Sequence, residues 1–478
     1  MKGLFQGSGP GVCGMGGPVF ATLAIALALA GCGTAPATGR PVAPHGVIGV
    51  DERHLDAQFW IDRAPASARV VLDTRAIAAQ NARLQKLDPS LHDIERLPPR
   101  LPRALVRGWI EELSATPGDR LLDERGQEIA PDALEALAAD TALDVIPDSA
   151  PIRYGLIVRR AELRSFPTRM PAFRPNGDAG IDRFQETAVF PGTPVVIAHE
   201  SRDRLWWFVI TPRYAAWVEK PHVAEGTAEQ VFGYGRKTPY LVVTAAAART
   251  VHTPERPEVS ELQLDMGVRL PLIADWPADR PVNGQHAYVG HVVELPVRAG
   301  DGSLGFAPAL LPRTADVASD FLPLTRAGLL RQGFKFLGER YGWGHDNNAR
   351  DCSGFVSEVY RSFGVQLPRN SRDQGESPAL NRIAFTEADS REQRTSVMKG
   401  LQVGDLVYIP GHVMMVIGRD RGSLYVIHDT TGITYRGADG ALTRVRLNGV
   451  SVTPLEPLML GEDESYIDGI YSIQRIRP

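Results

Sequence analysis

Three textures follow one another along the 478 residues, and their order restricts the fold more than any single motif does. Helical periodicity runs to about residue 150, short β-rich runs broken by turns fill the stretch to about 322, and helical periodicity then returns with a strand meander behind it. No single layer architecture accommodates that succession, and a chain of this length holds about three domains. The expected fold is multidomain α+β.

The elements can be placed more closely. Asp73-Thr74 reads as an N-cap before Ile77, Leu84 and Leu87, and Pro102 opens a stretch with Leu105, Val106, Trp109, Ile110 and Leu113 on one face. A third pattern runs from Asp132 to Leu143, which gives a helical N-terminal domain over 66–150. The runs Tyr154–Val158, Pro194–Ala198, Leu205–Ile210 and Ala215–Glu219 have the spacing of a small barrel over 151–222. Val268–Leu272, Ala287–Leu295 and Leu304–Ala307 suggest a second over 223–322. The last domain, 323–478, starts with Thr325 capping a helix through Leu330, Phe334 and Leu337 that stops at Gly338.

Cysteine usage fixes the chemistry that is available. The cysteines are Cys13, Cys32 and Cys352. Lys2 precedes an apolar run from Val19 to Ala30, which at about 12 residues is too short to span a bilayer and suits an export signal. The run ends in Leu29-Ala30-Gly31-Cys32, which resembles the lipobox of bacterial lipoproteins. On that reading 1–31 is a signal peptide, Cys32 is lipidated and 32–65 is a tether with Pro36, Pro41 and Pro44. The protein would be exported and lipid-anchored to a bacterial membrane, facing the periplasm or cell wall, with Cys352 as a free thiol.

Lys plus Arg number 52 and Asp plus Glu 56, so the chain lacks the basic balance of a nucleic-acid binder and no nucleic acid is expected as a partner. His286 and His291 are too isolated to form a metal site, and no paired metal-binding spacing occurs. No metal or cofactor is expected.

Chemistry concentrates near Cys352. Asp351-Cys352-Ser353-Gly354 precedes Phe355, Val356, Val359, Tyr360 and Phe363 at helical spacing, which puts the thiol in the first turn of a buried helix. The helix dipole there should lower the thiol pKa, and the unpaired N–H groups can stabilise an oxyanion. A base is needed, usually histidine. His412 starts the strand Gly411 to Gly418, and the next strand, Leu424 to Ile427, leads into His428. Antiparallel neighbours would bring the two imidazoles together, the second orienting the first.

Tyr341-Gly342-Trp343-Gly344, Asp351-Cys352-Ser353-Gly354-Phe355, Leu367-Pro368-Arg369, Gly404-Asp405-Leu406 and Gly411-His412-Val413, in that order, resemble the NlpC-type cell-wall cysteine peptidases. The resemblance covers about 325–478, and the two preceding β blocks resemble bacterial SH3-like domains behind a helical clip-like segment. It implies a papain-like α+β peptidase domain that hydrolyses the γ-D-glutamyl–diamino acid bond of peptidoglycan stem peptides. Cys352 would be the nucleophile, His412 the base and later the acid, His428 the orienting residue, and Tyr341 a support for the oxyanion site. Ser353 and Arg369 would sit near the D-glutamyl carboxylate, with Asp351 and Trp343 also at the substrate. Two positions depart from the family pattern. His345 stands where many relatives have glycine, and Asn370 stands where relatives that require a free N-terminal amine carry aspartate. The second departure removes a charge from the expected ammonium site, and Tyr214 of the first β block is a candidate to wall off that side. A catalytically inactive wall-binding lipoprotein and a papain-like amidase or acyltransferase are the alternative readings.

Overall fold

The computed structural model describes residues 46–175, 177, 179–437 and 439–477. The segment read above as a signal peptide, Cys32 and the start of the expected tether lie outside the described residues. Among the described residues no helix is long and apolar enough to cross a membrane.

The first β block is a seven-stranded antiparallel sheet in the spatial order Val223–Gly226, Arg153–Ile157, Pro194–Glu200, Trp206–Ile210, Ala215–Glu219, Ala161–Arg164 and Gln185–Val189. Alternation assigns its faces. Val195, Val209 and Val218 point into one core, whereas Val196, Phe208, Ile210 and Trp217 point into another. The sheet extends past residue 222 to take in Val223–Gly226. The second block has a three-stranded sheet centred on Tyr240–Val243, a short ladder of Ala247–Arg249 with Gln263–Asp265, and a hairpin of Gly290–Arg298 with Leu304–Pro312. Val243, Leu264, Leu270, Leu295 and Leu311 form its core.

The N-terminal helices form where their caps place them. Asp73 accepts a 2.8 Å hydrogen bond from Ala76 N and starts helix Thr74–Leu87, and helix Arg103–Leu113 follows Pro102. They divide between two neighbours. Ile77 joins the core of the C-terminal domain and Leu84 packs with Leu91 and Ala379, whereas Val106 and Ile110 pack under the Trp206, Phe208 and Trp217 face of the first sheet.

Residues 51–63, read above as the end of the tether, are docked. Glu52–Leu55 and Ala57–Arg63 are helical turns, and Trp60 is 1% exposed. Its indole Nε1 donates to His54 O at 2.9 Å and its ring lies against Tyr425, 5.1 Å between centroids. Gly418 makes this possible, because at φ +147° a Cβ there would stand 3.0 Å from the Trp60 ring. The proline content upstream obscured an apolar anchor that only the tertiary surface reveals.

The C-terminal domain is a six-stranded antiparallel sheet, ordered Asn381–Ala384, Ser472–Arg475, Leu406–Ile409, His412–Asp420, Ser423–Thr430 and Gly449–Pro454. Helix Cys352–Arg361 packs on one face through Phe355, Val356 and Val359 against Val413, Met415 and Ile427. Met414, Val416, Val426 and Leu424 fill the opposite core. Helix Arg326–Phe334, capped by Thr325 as expected, ends four residues before Gly338 and continues as turns.

Candidate active site

Asp351 caps the nucleophile helix. Its Oδ1 accepts from Gly354 N at 2.7 Å, and Cys352 follows as the first helical residue, buried at 6% exposure. The strand that begins at His412 bears on the thiol through its second residue, Val413, whose backbone N–H favours the Cys352 thiolate. The expected fall in the thiol pKa does not occur. Burial first, and then the Asp351 carboxylate, push it up to about 12, against the Val413 hydrogen bond and Arg369. The helix-start effect is weak here because Asp351 already occupies the Gly354 N–H and brings a negative charge of its own.

The two histidines meet as the strand order required. His412 Nε2 lies 2.8 Å from His428 Nδ1, and His428 Nε2 lies 3.0 Å from Thr453 Oγ1. Burial lowers His412 to about 4 and holds His428 well below its ordinary value, helped by His412. Both imidazoles are therefore neutral at pH 7. Among the described residues no hydrogen bond joins Cys352 to His412, whose Nδ1 remains available. Such contacts are often loose without substrate.

Arg369 is neither a surface charge nor free for a ligand carboxylate. It is 4% exposed and donates to Asp351 Oδ2 at 2.7 Å, Ser353 Oγ at 2.9 Å, Thr187 Oγ1 at 2.5 Å and His345 Nδ1 at 3.0 Å. The expected pairing with a glutamyl carboxylate is replaced by internal partners, of which Thr187 holds the first β block against the nucleophile helix. Ser353 Oγ in turn donates to Asp351 Oδ1 at 3.1 Å. Trp343 donates through Nε1 to Gln185 O at 3.1 Å, and Tyr341, half-buried, has its phenol raised by burial and by Cys352. Tyr214 donates its hydroxyl to Glu186 Oε2. Asn370 is exposed and donates to Asp373 Oδ2 at 3.0 Å, so a carboxylate stands three residues beyond the missing one.

Residues absent from the sequence-based set complete the surroundings. His345 is not a passive replacement for glycine: it sits at φ +64°, buried, between Arg369 and Glu358, with Nε2 3.2 Å from Glu358 Oε1. It closes over Gly354, where a Cβ would come within 2.3 Å of its Cε1. Glu186 and Glu358 also escaped notice. Glu358 is the single acidic residue of a largely apolar helix, and that was the available signal for it. Glu186 carried none, because its importance arises only where two domains meet.

The family comparison bears on this site. Residues 338–451 match the NlpC/P60 family, and residues 171–219 match the SH3 domain of SH3b1 type. The C-terminal domain is an NlpC/P60 domain. Members of the NlpC/P60 family are cysteine peptidases that hydrolyse peptidoglycan. A curated protein from Bacillus cereus, gamma-D-glutamyl-L-lysine dipeptidyl-peptidase, is 28% identical over 254 residues, which span 49% of this chain and 65% of that protein. The solved NlpC/P60 endopeptidase from Photobacterium damselae subsp. piscicida has a TM-score of 0.67 at 16% identity, covering 89% of this chain and 95% of that one. That likeness is one of fold. The SH3 match falls on the first β block, and the second block has its own sheets and core.

Proposed function

We propose that the protein is a cysteine endopeptidase hydrolysing the γ-D-glutamyl–diamino acid bond of peptidoglycan stem peptides. The observation that carries this reading is the 2.8 Å contact between His412 and His428 on neighbouring strands, the first of which carries the Val413 N–H that favours the Cys352 thiolate. The name of the Bacillus cereus relative, gamma-D-glutamyl-L-lysine dipeptidyl-peptidase, supports the choice of bond.

With Thr453 accepting from His428 Nε2–H, His428 Nδ1 accepts from His412 Nε2–H, and this tautomer leaves the lone pair of His412 Nδ1 for the thiol proton. Because the thiol and imidazole are both neutral at rest, proton transfer accompanies attack on the carbonyl carbon and is not complete beforehand. Sulfur bonds to that carbon, the C–N bond breaks, and the protonated His412 returns its proton to the leaving amine. Water then attacks the thioester with His412 again as base, the C–S bond breaks, and the imidazolium returns the proton to the Cys352 sulfur. The Gly354 N–H is occupied by Asp351, which leaves the N–H groups of Cys352 and Ser353 for the oxyanion. Glu186, with Tyr214, and Asp373 supply negative charge on the side where Asn370 lacks it, in keeping with a free stem-peptide amine as the preferred end.

The deciding test offers L-Ala-γ-D-Glu-diamino acid, its N-acetylated form and intact sacculi, with products read by mass spectrometry. Cleavage at the γ-D-glutamyl bond, lost in Cys352→Ala with unchanged circular dichroism, is expected. Intact peptides in all three reactions would refute the reading. An anchor at Cys32 would place this activity at a membrane facing the wall. Intact mass should then show an acylated Cys32, and an unmodified one would refute the anchor.

A further inference from the structure

At the end of the nucleophile helix opposite Cys352, the two β blocks and the NlpC/P60 domain line a half-open cavity of about 350 Å³. Its wall carries Arg213, Arg269, Arg361 and Arg369, and no aspartate or glutamate. Three of these guanidinium groups are engaged. Arg369 pairs with Asp351 at 2.7 Å, Arg361 donates to Met266 O at 3.0 Å with Glu358 at 3.8 Å, and Arg269 donates to Lys237 O at 2.5 Å while lying 3.7 Å above the Tyr240 ring.

Arg213 differs. Its backbone N–H donates to Thr211 Oγ1 at 3.2 Å, but among the described residues its guanidinium has no hydrogen-bond or ion-pair partner. Burial first, and then repulsion from Arg361 and Arg369, bring its pKa down to about 9, against the attraction of Glu358. Arg213 is half-buried, and a guanidinium held beside two others with no carboxylate partner costs free energy that a bound anion would recover. Thr211 Oγ1 already accepts from the N–H groups of Arg213 and Tyr214, at 3.2 and 3.0 Å, so its hydroxyl proton is left for a further acceptor. The rest of the wall includes Val189, Phe190, Phe321 and Val365.

We propose that this cavity binds a small oxyanion with a short apolar body, its carboxylate or phosphate oxygens held by Arg213 and Thr211 and its apolar part against Phe190 and Phe321. Cys352, His412 and His428 do not line the cavity, whereas Arg369 and Tyr214, which stand beside the candidate site, do; the inference rests on Arg213 and Thr211, which the reading of the catalytic site does not use.

Titration calorimetry at low ionic strength tests it on the full-length Cys352→Ala protein, with butyrate and butyl phosphate as separate probes. Saturable binding of either probe at one site is expected, butyrate alone pointing to a carboxylate ligand and butyl phosphate alone to a phosphate. Arg213→Gln should weaken that binding about tenfold or more, and Arg213→Lys, which keeps the charge without the planar fork, should fall between. If Arg213→Gln does not fold, the Lys variant alone reads the loss. Neither probe binding, or equal binding by the Arg213 variants and the parent, would overturn the proposal. Stem-peptide cleavage by the Cys352-containing protein is read separately, so failure of one reading leaves the other standing.

Discussion

At Cys352 two local fields oppose each other, and the comparison of their sizes decides the resting state. Helix-terminus effects are worth about 0.3–1 kcal/mol when exposed and up to about 2 kcal/mol when partly buried, whereas burial beside the Asp351 carboxylate carries the thiol up to about 12. With His412 lowered to about 4, the neutral pair persists across neutral pH. The acid limb of kcat/KM should therefore follow His412, whose neutral form must accept the proton, and fall near pH 4 instead of near the ordinary histidine value; stopped reactions from pH 3.5 to 8 would check this. Asp429 supplies a second case. It is fully buried, neither carboxyl oxygen has a partner, and its pKa is raised well above the usual range by burial and then by Asp351 and Glu339. A carboxyl raised on folding gives its full stability below the unfolded value and loses it as pH rises. Asp429→Asn should accordingly raise Tm more at pH 7.5 than at pH 4.5; an equal shift at both would show that the side chain ionises normally. Cys352, His412 and His428 were legible because each sits at a place that local sequence defines, a helix start or a strand of known neighbour. The partners of Arg369 were not, since Thr187 lies 182 residues away across a domain contact.

Elements were legible where they carry their own stop and start signals. Asp73, Pro102 and Thr325 each open a helix as read. What a helix packs against is a different matter, because an apolar stripe such as Val106 and Ile110 specifies only that it must be covered. The segment Ala57–Arg63 illustrates the limit: seven residues cannot hold a helix alone, and its stability comes from Trp60 entering the core of the NlpC/P60 domain beside Tyr425 and Ile417. Trp60→Ala should cost about 3–5 kcal/mol, the range for truncating a buried aromatic, and equilibrium urea unfolding followed by circular dichroism would measure it. A change below about 1 kcal/mol would mean that the segment does not stay docked in solution.

The two β blocks and the NlpC/P60 domain are joined by a buried charge cluster in which none of them is self-sufficient. Arg350, 1% exposed, donates to Glu358 at 2.9 Å and Glu339 at 2.7 Å within the NlpC/P60 domain, and to Asp265 at 2.5 Å and Ala246 O at 2.8 Å in the second β block. From the first block Arg160 donates to His345 O at 2.7 Å and Ala349 O at 3.0 Å, and stands 3.5 Å from Asp265. The same loop carries His345, which contacts Arg369 and through it Asp351, so the β blocks set the position of the residue that caps the nucleophile helix. A buried pair is weak evidence for net stability, yet removing one partner leaves uncompensated charge and costs about 3–5 kcal/mol. Arg350→Met keeps most of the side-chain volume and strips Asp265, Glu339 and Glu358 of their shared cation. It should lower stability by that amount and reduce kcat more than it raises KM, because the capping of Cys352 is disturbed while the outer substrate contacts stay. Asp265→Asn in the Arg350→Met background should recover part of the loss, since one of the stranded charges is then gone. Additive losses in the double variant would show that the two residues do not act as one cluster. High salt should change the parent little, because the cluster is shielded from solvent ions.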